Sequence, residues 1–238
     1  MKSYRSAGLL AVTLIALLTI PGYGQERFFA NFNFELGFPQ GDFKNNVDRT
    51  AIGASAYFLY RLPHSPLLVG ASFAFMNYGC DTREEFLSPN IPEVLVDVTT
   101  TNNIFNAHFL FRFQPVYGPV QPYVEALLGL NHLFTETSIY NQGGDEDGEI
   151  AGTVHVQDTV FSYGAGAGVM IHLLGFSHNR LRTGPGLYLD LGLRYLKGGR
   201  AEYMREGDLV HGDDFLEYTV RESTTDLVKA YIGLTLTF

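Results

Sequence analysis

The 238-residue chain has no tryptophan and one cysteine, Cys80. A single thiol excludes an internal disulfide framework. After residue 24 no apolar run is long enough for a membrane-spanning helix, which excludes helical membrane architecture there. Basic residues are in deficit: 16 Lys and Arg face 25 Asp and Glu, for a net charge of −9. That balance argues against a nucleic-acid partner. The seven histidines are His64, His108, His132, His155, His172, His178 and His211, and none shows metal-ligand spacing.

The first 24 residues read as an export signal. "MKSYR" carries Lys2 and Arg5, an apolar run of signal-peptide length follows, and "PGYGQ" offers a small-x-small cleavage site. The expected cut lies between Gly24 and Gln25, so residues 25–238 are the mature chain of 214 residues. Without Lys2 and Arg5 the count becomes 14 basic against 25 acidic, a net −11.

What is abundant is alternation. Eight segments between turn signals place an apolar residue at every second position, the period of a strand. They are "FFANFNFELGF", "TAIGASAYFLYR", "LLVGASFAFMNY", "NNIFNAHFLFRFQ", "YVEALLGLNHLF", "FSYGAGAGVMIHL", "LYLDLGLRYL" and "DLVKAYIGLTLTF". The even-numbered connections are short to medium and rich in Pro and Gly. The odd-numbered ones are polar, and three of the four are long. Short turns at one end and long polar loops at the other is the pattern of an outer-membrane barrel. An even strand number puts both chain ends at the short-turn, periplasmic side.

The two faces decide which way the barrel is turned. The apolar faces are nearly free of charge over about ten residues, the length a tilted strand needs to cross a bilayer. The mixed faces carry few charges, of both signs, among many Gly, Ala and Ser residues. A water-facing surface would carry about a third charged residues. The mixed faces therefore point inward and the apolar faces outward, the reverse of a soluble barrel. Phe28, Tyr60, Phe113 and Phe238 should form a periplasmic girdle, and Phe38, Phe75, Phe105, Phe134, Phe161 and Tyr195 its extracellular counterpart. The fold class is all-β: an eight-stranded antiparallel up-and-down transmembrane β-barrel, in which the last segment pairs with the first to close the ring.

These features resemble the small outer-membrane β-barrel proteins of Gram-negative-type bacteria, the OmpA/OmpX-like class, over the whole mature chain. The resemblance implies a C-terminal strand read by the barrel-assembly machinery, with Phe238, Leu236, Leu234 and Ile232 matching the alternation. Leu236 stands where the family often has an aromatic. It also implies an outer-membrane location and lipid and lipopolysaccharide as surroundings.

Inward parity gives the candidate site residues. Glu35, Arg61, Arg112, Glu125, Asp190, Arg194 and Lys229 should project into the lumen, where they must pair because an isolated buried charge is costly. Gly164, Gly166 and Gly168 of "YGAGAG", with Gly129 and Gly192, should leave room for long arginines from other strands; their spacing is not that of a nucleotide loop. The acidic run Asp145, Glu146, Asp147 and Glu149 reads as a solvated loop tip, with weak Ca²⁺ or Mg²⁺ binding as the alternative. His132 with Ser138 and Glu136 is the nearest approach to a catalytic group, and Ser177–His178 falls in a turn; neither makes an enzyme. Cys80 reads as an incidental thiol. The expectation is a monomer without cofactor, with a mostly filled polar lumen and long extracellular loops, in a structural or surface-interaction role. A narrow channel for small or amphipathic solutes is the alternative, and a soluble periplasmic lipid-binding barrel a third reading.

Overall fold

The structure, a computed structural model, describes residues 27–88, 91–115, 118–141, 149–175, 186–211 and 216–238. The expected signal segment and its cleavage point lie outside these residues, as do Asp145, Glu146, Asp147 and the Ser177–His178 turn.

Eight strands form a closed barrel: β1 (Phe28–Pro39), β2 (Ala51–Arg61), β3 (Leu67–Ser88), β4 (Ile91–Phe113), β5 (Val120–Asn141), β6 (Glu149–Gly175), β7 (Gly186–Gly198) and β12 (Leu227–Thr237). Each antiparallel neighbour follows in chain order, and β12 closes on β1 from Phe29–Thr237 to Pro39–Leu227. Both chain ends meet there: the Phe238 and Phe28 backbones exchange hydrogen bonds of 2.9 and 3.0 Å. Between β1 and β2 lies a short helix α1 (Gly41–Asn46). Between β7 and β12, β8 (Arg200–Tyr203) pairs with β11 (Arg221–Thr224), and β9 (Leu209–His211) with β10 (Leu216–Tyr218).

The cross-strand register fixes the barrel's dimensions. Phe28 lies opposite Tyr60, then Val69, Phe111, Ala126, Ala165, Tyr195 and Val228, and this row returns to β1 at Phe38. One circuit climbs ten residues. With about 3.3 Å per residue and about 4.8 Å between strands, that stagger tilts the strands by about 40° and gives a backbone diameter of about 17 Å. Such a bore has room for side chains and little else.

All eight segments face as their alternation predicts. Phe32, Phe34, Phe73, Phe109, Phe111, Leu193, Ile232 and Leu234 are exposed on the outside, while Asn33, Glu35, Arg112, Asn131, Asp190 and Thr235 are buried inside. A surface covered by that much contiguous apolar area belongs in hydrocarbon and not in water. No helix among the described residues is long and apolar enough to cross a membrane; the strands are the spanning elements.

The structure departs from the sequence reading in strand length. β3 to β6 run for 22, 23, 22 and 27 residues, about twice a membrane crossing. Segments read as long loops are therefore continuations of the sheet. Their Thr- and Val-rich sequence keeps the ladder going: Thr82 bonds Thr99, and Thr100 bonds Thr137 across neighbouring strands. A register shift between Asn77 and Gly79 marks where β3 leaves the apolar band.

Candidate functional site

The inward positions of β1, β4, β5, β7 and β12 bring six of the seven predicted charges together. Glu125 is the hub. Its Oε2 accepts Arg112 Nη2 at 2.9 Å and Nε at 3.1 Å, and its Oε1 accepts Arg194 Nε at 2.6 Å. Arg194 reaches on to Glu35 at 3.5 Å, and Glu35 meets Lys229 Nζ at 2.6 Å. Lys229 also donates to Asn106 Oδ1 at 3.1 Å. Asp190 lies 4.0 Å from Arg112 Nη1 and accepts the hydroxyl of Tyr123 at 2.6 Å. Three carboxylates thus balance three cations. Their side chains are at most 2% exposed. β1 and β5 lie four strands apart in a ring of eight, so Arg194 links Glu35 to Glu125 across the full diameter.

Arg61 is placed elsewhere. Its guanidinium sits 5.0 Å from the Phe29 ring centre and donates to the Gln114 carbonyl at 3.4 Å, towards the end where the chain termini meet. Sequence parity puts it inside correctly, but parity gives no height along the barrel.

The sequence reading assigns no role to the tyrosines that face inward. Tyr57 and Tyr123 flank Arg112, with ring centres 4.4 and 3.8 Å from its Cζ, and Tyr231 lies 4.6 Å from that of Arg194. Tyr123 and Tyr231 share a 2.6 Å hydroxyl contact, and Tyr57 bonds Asp190. Cation–π contact and phenol hydrogen bonds solvate these buried arginines. The signal was present: each tyrosine has inward parity, and glycines face two of them. A Cβ on Gly168 would collide with the Tyr123 hydroxyl, and one on Gly192 with that of Tyr231. A Cβ on Gly166 would stand 3.0 Å from Arg194 Cγ and 3.1 Å from Glu125 Oε1. The room expected for arginines thus serves Arg194 at Gly166, whereas at Gly168 and Gly192 it is taken by tyrosines.

Apolar layers lie above and below the charges. At the end where the termini meet, Phe29, Leu59, Leu68, Leu110, Met170 and Tyr188 cluster. At the opposite end Phe43 of α1, Met76, Tyr78, Ile104, Leu133 and Leu227 pack with Ala201 and Tyr203 of β8. Above this second cluster Asp208 accepts Arg221 Nε at 2.6 Å and Nη2 at 2.9 Å, and the Arg205 amide at 3.2 Å. Burial alone would raise the Asp208 carboxyl, but the bonds from Arg221 and Arg205 hold it below the ordinary carboxylate value. The same carboxylate raises Arg221.

The remaining candidates have local partners. His132 Nδ1 lies 2.8 Å from Thr159 Oγ1 and its ring stacks on Phe134, so Thr159, not Ser138 or Glu136, is its partner. Cys80 is exposed on β3, opposite Thr101. Among the described residues no group of three or more His, Cys, Asp or Glu could hold a metal ion. At the last residue, the Phe238 ring lies 5.8 Å from that of Phe28, which also meets Phe58 and Tyr60.

The geometry defines an inside-out, closed eight-stranded antiparallel barrel. Among solved structures, Neisserial surface protein A is similar over 89% of this chain and 97% of its own, at 12% identity and a TM-score of 0.44. Ail, the attachment invasion locus protein of Yersinia pestis, solved with the heparin analogue sucrose octasulfate, matches at 16% identity and 0.38, over 90% of this chain and 99% of its own. A major outer membrane protein from Thermus thermophilus matches at 12% and 0.40, over 88% and 99%. The structural neighbours are small outer-membrane β-barrels, the class that the sequence resembles; at these identities no residue's role passes from them to this chain. No family model and no curated protein matches the sequence.

Proposed function

We propose that this is an integral outer-membrane β-barrel with a filled, non-conducting lumen, acting as a structural or surface-interaction protein through its extracellular end. The observation that carries this is the neutral network of three carboxylates and three cations, buried and spanning the bore from β1 to β5. An open path for ions would wet these side chains. The apolar clusters above and below them support the same reading.

The membrane placement is supported by the height of the apolar band. Phe28 and Phe38 mark its two edges on β1, ten residues apart. At about 3.3 Å per residue and a tilt of about 40°, that is about 25 Å, the height of an outer-membrane barrel's apolar belt. The outward face then meets outer-membrane lipid and lipopolysaccharide as a monomer. The alternating Ile232, Leu234, Leu236 and Phe238 serve as the signal to the assembly machinery after export.

Planar-bilayer recording of the refolded, purified protein tests the filled lumen. The expected trace has no discrete conductance steps. Reproducible single-channel steps would return the narrow-channel reading.

A further inference from the structure

The outward wall of the barrel is uncharged with one exception. Within the apolar belt, the outward positions of the described strands carry Lys197 on β7 and no other Asp, Glu, Lys or Arg. The register sets its height. Phe38 marks the belt's upper edge on β1, and the cross-strand row runs from Phe38 through Val228 to Tyr195. At a tilt of about 40° each step along that row descends about 3 Å, and Lys197, two residues beyond Tyr195, climbs back about 5 Å. Lys197 therefore sits level with Phe38, where lipid head groups meet hydrocarbon.

Its surroundings leave the charge unspent. Tyr163 lies directly opposite on β6, and both side chains are exposed. Among the described residues, neither the Lys197 ammonium nor the Tyr163 hydroxyl has a hydrogen-bond or ionic partner. Asp226, one residue past the β7–β12 ladder, is the nearest carboxylate along the chain ends of these strands, and it is engaged elsewhere. Its Oδ2 accepts the Tyr195 hydroxyl and its Oδ1 the Gly198 amide, each at 3.2 Å. Further up, Arg200 faces Glu222 at 3.9 Å. Below the two donors the wall is apolar and low: Ala126, Ala165 and Ala167 are exposed, with the longer Val124, Leu128 and Leu193 around them. Tyr163 leans up against Phe161, ring centres 6.1 Å apart, and Tyr195 leans up to Asp226, so both rings turn away from the alanines.

We propose that Lys197 and Tyr163 form a binding site for the phosphate of an anionic outer-leaflet lipid, one of whose acyl chains lies over Ala165 and Ala167. An ammonium and a phenol side by side match the oxygens of a phosphate, and a single cation at the head-group level selects an anionic lipid over a zwitterionic one. The inference rests on the membrane placement proposed above and adds a preferred lipid at one place on the wall.

The chain has no tryptophan, so one introduced residue reports its own surroundings. Leu193→Trp places it beside Ala167, and Phe73→Trp places it on β3, which stands opposite β7 in the ring. Each protein is folded into phosphatidylcholine vesicles containing a brominated lipid, which quenches a tryptophan that it touches. At position 193, brominated phosphatidic acid should bind about fivefold more tightly than brominated phosphatidylcholine. Lys197→Met, or Lys197→Gln should the first not fold, should abolish that preference, and Tyr163→Phe should reduce it. At position 73 neither lipid should be preferred. Inorganic phosphate at constant ionic strength should not displace the lipid; displacement would assign the site to the free ion and overturn the proposal. Equal quenching by the two lipids at position 193, the same preference at position 73, or a preference that survives loss of Lys197 also overturns the site, while quenching at both positions still reports an inserted barrel. No quenching by either lipid at either position would overturn the membrane placement and the site with it.

Discussion

Lys229 and Glu35 offer the cleanest test of the buried network. Lys229→Met keeps the side chain's length and removes its charge. Of its two cation partners Glu35 then retains Arg194, at 3.5 Å in place of the 2.6 Å contact with Lys229. The network would hold three carboxylates and two cations. Removing one partner of a buried pair costs about 3–5 kcal/mol, because the other charge stays buried without compensation. Glu35→Gln is the mirror case and leaves Lys229 with Asn106 at 3.1 Å. In Glu35→Gln/Lys229→Met the balance is restored, and Arg194 keeps Glu125 at 2.6 Å. The double variant should therefore cost less than either single one, with a coupling of at least about 2 kcal/mol. Equilibrium urea unfolding in phospholipid vesicles, followed by circular dichroism, measures all four proteins. With slopes of about 1–3 kcal/mol per molar urea, each single variant should lose roughly 2 M in midpoint. Single variants within about 1 kcal/mol of the native protein, or a double variant equal to their sum, would refute the argument that these charges are buried and mutually compensated.

Gly168→Val should lower the unfolding midpoint by about 1–3 kcal/mol through overpacking, since the new side chain must displace the Tyr123 hydroxyl from Asp190 and Tyr231; an unchanged midpoint would show that Tyr123 has room to move. The pairing of Asp208 with Arg221 and Arg205 has a defined pH dependence. Its carboxyl is held below the ordinary 3.8, so its stabilising effect is complete above that value and fades as pH falls through the lowered one. Tyr203 and Met204 amide resonances should be constant from about pH 7 to pH 5 and shift only on further acidification; a shift on raising the pH would contradict the sign. Deleting Phe238 should slow insertion into vesicles by more than it lowers the stability of the inserted protein, although it removes the Phe28 ring contact and three backbone bonds; a loss confined to the unfolding midpoint would remove its role as an assembly signal.

The facing of every barrel strand was legible because one period, two residues, governs both the sequence and the pleat. Parity alone placed Glu125 and Arg194 inside, and the cost of buried charge required them to pair. Height was not legible, which is why Arg61 was grouped with charges it does not join. Nor were the strand extensions. Above the bilayer the outward apolar face disappears, so "GCDTREEFLSPNIPEVLVDVTT" carries no lipid-facing stripe, although the ladder continues through Ser88 and from Ile91. The hairpin between β7 and β12 escaped for a different reason. Its strands are four residues long, too short for a period to show, and its underside rests on Phe43 and Tyr78, which lie more than a hundred residues earlier.

The ten-residue climb of the cross-strand row has a consequence for assembly. Stepping sideways from Phe28, each neighbour is set by one strand pair, and the last step must land on Phe38. A slip of two residues in any one pair would keep every side chain on its proper face and escape local notice. It would nonetheless carry through all later strands and bring β12 to β1 two residues out of step. Ring closure is therefore a checksum on the seven pairings that precede it. The Phe28–Phe238 contact, made only when that total is correct, is where an error anywhere in the barrel would register.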